Sequence, residues 1–100
     1  MRNGMRPIHP GEILREEFLA PLGMSASALA RSLHVPPNRV TGLVNEQRSI
    51  TADTALRLAR FFGTTPEFWM NLQCAFDLRS EEVSRAKDIA HQVTPRESRT

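Results

Sequence analysis

Asn38, Arg39 and Thr41 stand close together in a stretch that also holds Pro37 and Gly42. Their side chains suit hydrogen bonding to the edges of bases rather than bond-making chemistry. An asparagine amide can pair with adenine through two hydrogen bonds, and a guanidinium can grip guanine or a phosphate. Threonine offers a hydroxyl, or a methyl group that fits against thymine. Residues suited to catalysis are dispersed. His9, His34 and His91 lie far apart, and Cys74 sits among apolar residues, where packing suits it better than attack on a substrate. There is no glycine-rich phosphate loop, no carboxylate pair on one buried face, and no second metal ligand near His34. The expectation is a binding protein, not an enzyme, with no catalytic residue, metal, cofactor or small-molecule substrate.

Charge is arranged to match. The formal net charge of +2 says little by itself about a polyanionic partner. Between Glu17 and Glu46, however, there is no acid, while Arg31 and Arg39 lie inside that stretch and Arg48 follows it. Acids gather instead at Glu12, Glu16 and Glu17 before it and at Asp77, Glu81, Glu82 and Asp88 after it. An acid-free face is what approach to phosphate requires. All the basic residues but Lys87 are arginines, which suit bidentate contacts to phosphate and guanine, although a GC-rich genome gives the same bias.

Helices must position these groups. The chain has 100 residues, 40% of them hydrophobic, enough for one compact core. It lacks tyrosine and is rich in Leu, Ala, Arg and Glu, so the expected class is all-α. One cysteine cannot form an internal disulfide, and no apolar run approaches the roughly 20 residues that cross a bilayer. The expectation is a soluble cytoplasmic protein without a membrane partner. A first helix is expected from Pro10 and Gly11, with Ile13, Leu14, Phe18 and Leu19 inward, ending at Ala20-Pro21-Leu22-Gly23. Ser25 caps a second, which buries Leu29, Ala30 and Leu33. Pro37 opens a third, with Val40, Leu43 and Val44 at helical spacing. A polar loop from Asn45 carries one apolar plug, Ile50. Thr51 caps a fourth helix that stops at Gly63, and Thr65-Pro66-Glu67 starts a fifth. The reading is an arm over residues 1–9, a compact five-helix domain over 10–79 and a C-terminal helical extension over 80–100. In the extension the stripe thins to Val83, Ala86, Ala90 and Val93, and residues 94–100 look frayed.

The second and third helices, from Ser25 to Val44, meet the requirements of a helix-turn-helix. Ala30 is small where the two must pack closely, the inward positions are apolar, and Asn38, Arg39, Thr41 and Gly42 form an outward face fit for a major groove about 12 Å wide. His34 occupies the turn position where glycine is usual. Histidine tolerates positive φ better than most residues, so a slightly strained or differently shaped turn is expected.

The string from Arg6-Pro7-Ile8-His9-Pro10-Gly11-Glu12 through Ser25 to Val44, with the block Thr65-Pro66-Glu67-Phe68-Trp69-Met70-Asn71-Leu72-Gln73, strongly resembles the HigA/VapI branch of antitoxins. These belong to the phage-repressor-like helix-turn-helix class, and the resemblance covers about residues 6 to 80. It implies a homodimer that represses its own operon by binding operator DNA. It also implies neutralisation of a small basic, HigB/RelE-like toxin that cleaves mRNA on the ribosome. The alternative is a stand-alone regulator of the same fold without a toxin.

In repressors of this class the start of the recognition helix and the position one turn later reach base edges. Carried onto this chain, those residues are Pro37, Asn38, Thr41 and Gly42, with Arg39 open between phosphate and guanine. Phosphate contacts are expected from Ser25 and Ser27 at a helix N-terminus. Ala26 stands where many relatives have a glutamine contact, and Arg48, Ser49 and Thr51 could replace it. Dimerisation is expected because one short helix reads too few bases, and two recognition helices must lie roughly 34–36 Å apart. Phe68, Trp69, Leu72 and Phe76 are assigned jointly to core and dimer contact. For the toxin, the acidic patch Glu12, Glu16 and Glu17 and the stretch around Glu81, Glu82 and Asp88 remain rivals.

Overall fold

A computed structural model describes residues 6–97, so the expectations for residues 1–5 and 98–100 lie outside it. Five helices follow one another, and no strand occurs among the described residues. The first, α1, runs without a break through Pro10–Ile13, Leu14–Leu19 and Ala20–Leu22, its middle stretch wound as a π-helix. That widening lies directly before Pro21, which has no N–H for the helical ladder and whose ring crowds the carbonyl four residues back. Helices α2 (Ala26–Leu33), α3 (Pro37–Val44), α4 (Ala52–Phe62) and α5 (Pro66–Gln92) complete the chain.

The starts are built as the sequence leads one to expect. Ser25, Thr51 and Thr65 each accept a hydrogen bond from the backbone N–H three residues on. His9 does the same job for α1 by an unforeseen route. Its Nδ1 accepts from the Gly11 N–H at 2.8 Å, and its buried ring meets Phe76 edge-on at 4.8 Å. Gly23 and Gly63 end α1 and α4 in the left-handed conformation.

One core joins all five helices. Leu14, Leu29, Ala30, Leu43, Ala55, Leu58 and Trp69 are buried, and Ile50 plugs it from the loop before α4. Gly11 is required by a close approach: a Cβ there would stand 1.8 Å from the Leu43 carbonyl oxygen. The start of α1 therefore rests against the backbone of α3, which accounts for the glycine in the His-Pro-Gly-Glu opening.

The change expected near residue 80 is one of burial rather than of backbone. Helix α5 continues past it to Gln92, and every residue from Glu81 to Glu97 is exposed. The projecting helix stretches the molecule to 54 × 24 × 24 Å.

Candidate nucleic-acid interface

Helix α2 ends on His34, whose φ of 59° and ψ of 47° lie in the left-handed region. The His34 N–H donates to Arg31 O at 3.2 Å and the Val35 N–H to Ala30 O at 3.1 Å. This pair of bonds is the Schellman arrangement that glycine normally supports, so the turn keeps its regular shape with a histidine in it. Helix α3 closes in the same way: Glu46 has φ 63°, its N–H donates to Leu43 O, and the Gln47 N–H donates to Gly42 O. His34 and Glu46 are the non-glycine residues with positive φ among the described residues. Both helices of the motif thus end on left-handed residues that bear side chains.

On α3, Pro37 and Asn38 are exposed and Arg39, Thr41 and Gly42 are half-buried. The Thr41 hydroxyl donates to Pro37 O at 3.3 Å, so toward a ligand it can accept a hydrogen bond or present its methyl group. Arg39 is engaged within the chain. Its Nη1 donates to Asp53 Oδ2, which also accepts from Arg57 Nε at 2.9 Å, while Arg57 Nη1 caps Leu33 O at the end of α2. The Arg57 and Arg39 guanidiniums hold the Asp53 carboxyl below its ordinary range. The acid-free stretch of sequence is therefore not an acid-free face, because α4 brings Asp53 to the edge of α3. Two arginines offset that charge.

Gly42 and Arg48 are brought together. A Cβ on Gly42 would meet the Arg48 side chain at 2.8 Å, so the arginine stem lies over the glycine. The physical reading of Gly42 changes accordingly: it makes room for Arg48. Ser49 and Thr51 are exposed in the same loop, and Thr51 serves as the α4 cap. Ser25 and Ser27 are exposed at the start of α2, a separate element.

Three residues that hold this surface were not singled out from the sequence. Gln73, 5% exposed, accepts from the Ile50 N–H at 2.6 Å through Oε1 and donates from Nε2 to Asp77 at 2.9 Å. It ties the loop bearing Arg48 to α5. Arg15 Nη1 donates to Val44 O at the end of α3, and Arg15 also lies 3.6 Å from Glu46. Arg57 is the third. Long polar side chains reaching across the fold carry no local sequence pattern, which is why periodicity passes over them.

The joint assignment of Trp69 to core and dimer contact needs correction. Trp69 is 0% exposed and its indole N–H donates to Thr64 Oγ1 at 2.8 Å, so it has no surface left for a second copy. Phe68 is 37% exposed, while Leu72 is half-buried against the chain's own core and Phe76 half-buried against the His9 ring.

Residues 14–69, which span α1 to the start of α5, match the helix-turn-helix family model. The chain belongs to the HigA branch of the helix-turn-helix family. It is 59% identical over 84 residues to virulence-associated protein I of Dichelobacter nodosus, covering 84% of this chain and 78% of that protein. A HigA-family addiction module antidote protein from Coxiella burnetii superposes with a TM-score of 0.87 at 60% identity, over 92% of this chain and all of that one. The Pseudomonas aeruginosa antitoxin HigA, solved with the higBA promoter, gives a TM-score of 0.88 at 50% identity, over 90% and 98%. The family is one of DNA-binding regulators rather than enzymes. No helix among the described residues is long and apolar enough to cross a membrane.

Proposed function

We propose that this chain is a cytoplasmic antitoxin that, as a homodimer, represses its own operon by laying α3 in the major groove of operator DNA. It also neutralises a small basic, mRNA-cleaving toxin of the HigB/RelE-like kind. The observation that carries the DNA-binding part is the regular α2–turn–α3 geometry with Asn38 exposed at the start of α3 and Arg48 laid over Gly42. The Pseudomonas relative solved with promoter DNA supports the same reading. Asn38 and Thr41 are the base readers, and Pro37 adds shape. Arg39, held beside Asp53, stands at the phosphate flank, with Arg48, Ser49 and Thr51 on the loop and Ser25 and Ser27 at the start of α2. The toxin part rests on the family alone. Residues 10–79 form the DNA-binding unit and 80–100 the extension.

The test is fluorescence anisotropy on DNA from immediately upstream of the gene, against random DNA, over a salt series. Arg48→Ala is expected to weaken both and reduce the salt slope by about one. Asn38→Ala is expected to lower the discrimination by roughly 1–3 kcal/mol. Parallel loss on both DNAs removes Asn38 as a base reader. Co-expression with the adjacent gene tests the toxin: rescue of growth supports the antitoxin, and a neighbour without toxicity leaves a stand-alone regulator.

A further inference from the structure

The first turns of α1 hold the last turn of α3 at two points. Gly11 passes so close to the Leu43 carbonyl that no side chain fits between them, and Arg15 Nη1 donates to the Val44 carbonyl. Gly11 is itself fixed by His9, 5% exposed, whose Nδ1 accepts from the Gly11 N–H at 2.8 Å while its ring meets Phe76 of α5. Accepting at Nδ1 requires the lone pair there, so the ring is neutral with its proton on Nε2. A second proton would go to Nδ1 itself. Two donors would then face each other, and a buried positive charge would sit at the positive end of a helix. The charged groups on the surrounding elements are engaged with others. Arg6 of the arm pairs with Glu12 of α1 at 2.9 Å, and Glu46 after α3 lies 3.6 Å from Arg15. On α5, Asp77 accepts from Gln73 and Arg79 lies 3.7 Å from Glu82.

We propose that His9 is a positioning residue for α3, and that a proton taken up there withdraws the support of that helix and weakens operator binding. The proposal rests on the reading of α3 as the helix that enters the groove. Histidine is the side chain that changes charge between about pH 5 and 8, so a mild fall in pH is the signal. With the acceptor gone, the first turn of α1 loosens, Gly11 draws away from Leu43, and the end of α3 loses one of its two holds. Base reading suffers more than phosphate attraction, because it depends on where α3 lies. His9 therefore acts on the discrimination between DNAs and not on affinity alone. That separates it from His34, exposed in the turn of the motif, where an added charge would draw all DNA alike.

The experiment is fluorescence anisotropy of the full chain on upstream DNA and on random DNA from about pH 8 to about pH 5.5. A His34→Asn background removes the turn histidine and keeps a residue that tolerates the left-handed conformation. The ratio of the two affinities is expected to fall about tenfold across the range, the size of effect that a lost cap produces. His9→Asn, whose amide oxygen caps without titrating, is expected to hold the high ratio at every pH. His9→Phe keeps a ring beside Phe76 but offers no acceptor, and is expected to give the low ratio at every pH. Nitrogen NMR of the ring should show Nε2 protonated and Nδ1 bare at about pH 8. Protection of the Gly11 N–H should fall as the ring takes up its proton. Thermal unfolding at each pH separates a displaced helix from a lost fold. A ratio that stays flat with pH, or that falls equally in His9→Asn, overturns the proposal and leaves α3 as the reader. A ratio near one at every pH overturns both. Binding lost only where the fold itself melts assigns His9 to stability alone and overturns the positioning role.

Discussion

At its N-terminal end α5 buries Trp69 completely and Gln73 almost so, whereas from Glu81 onward it exposes every residue. One helix therefore serves two regimes. Near the domain, polar groups of α5 reach residues outside the helix: the Trp69 indole N–H donates to Thr64, and Gln73 accepts from the Ile50 N–H across the fold. In the projecting half, Glu82 lies 3.7 Å from Arg79 and the Ser84 hydroxyl donates to Ser80 O, both within the helix itself. The difference separates side chains that build the DNA-facing surface from side chains available to another molecule. Substitutions on the two sides should differ in kind as well as in size.

The largest contrast is expected between Trp69→Ala and Val83→Ala. Removing a fully buried indole from the aromatic cluster of Phe18, Phe62 and Phe68 should destabilise the fold by about 3–5 kcal/mol. Val83, 61% exposed in the projecting half, should move it by less than about 0.5 kcal/mol. Urea unfolding of both variants makes the comparison, and similar losses would mean that α5 is one regime along its whole length. Next comes Gly11→Ala. Its methyl group would collide with the Leu43 carbonyl, a backbone atom that cannot swing aside, so a loss of about 2–3 kcal/mol is expected. Operator affinity should fall as well, because α1 props the end of α3.

A smaller effect is expected from Gln73→Leu. It keeps the bulk but strands the buried Ile50 N–H, at about 1–3 kcal/mol. The informative readout is hydrogen exchange. Protection should drop at Ile50 and along the loop carrying Arg48, and DNA affinity should weaken although Gln73 itself faces the core. Unchanged exchange at Ile50 would mean that the loop is held by Ile50 packing alone.

The elements themselves were legible because their signals are local. Ser25, Thr51 and Thr65 announce helix starts, Gly23 and Gly63 announce stops, and within each helix the apolar residues repeat at helical spacing, as Leu29 and Leu33, Val40, Leu43 and Val44, and Ala55, Leu58 and Ala59 do. His34 was readable as a left-handed position because the motif demands one there. Glu46 was not, since nothing in Asn45-Glu46-Gln47 marks a second such turn. The ties made by Arg15, Arg57 and Gln73 span between 23 and 29 residues of sequence and depend on how helices cross. The same holds for Asp53. In sequence it belongs to α4, and only the packing of α4 beside α3 sets it against Arg39.

Asp53 gives the finest test of how the DNA-facing side is held. Its folded carboxyl titrates below its ordinary range because Arg57 and Arg39 both donate to it. A lowered folded value means that the contribution to stability is present above the unfolded value, near pH 4, and fades as the pH falls through the folded one. Asp53→Asn should therefore change little in the slope of stability against pH above about pH 5 and flatten it below about pH 4. Glu12→Gln serves as a control, since Glu12 is lowered in the same sense by Arg6 at the far end of α1 and has no link to Arg39. On DNA the two must part. Releasing Arg39 from its carboxylate should strengthen binding to random DNA and steepen the salt dependence by about one, whereas Glu12→Gln should leave the slope unchanged. If Asp53→Asn instead weakens DNA binding at every salt concentration, Asp53 works by orienting Arg39 toward the groove, and Arg39 moves from the phosphate flank to the base readers.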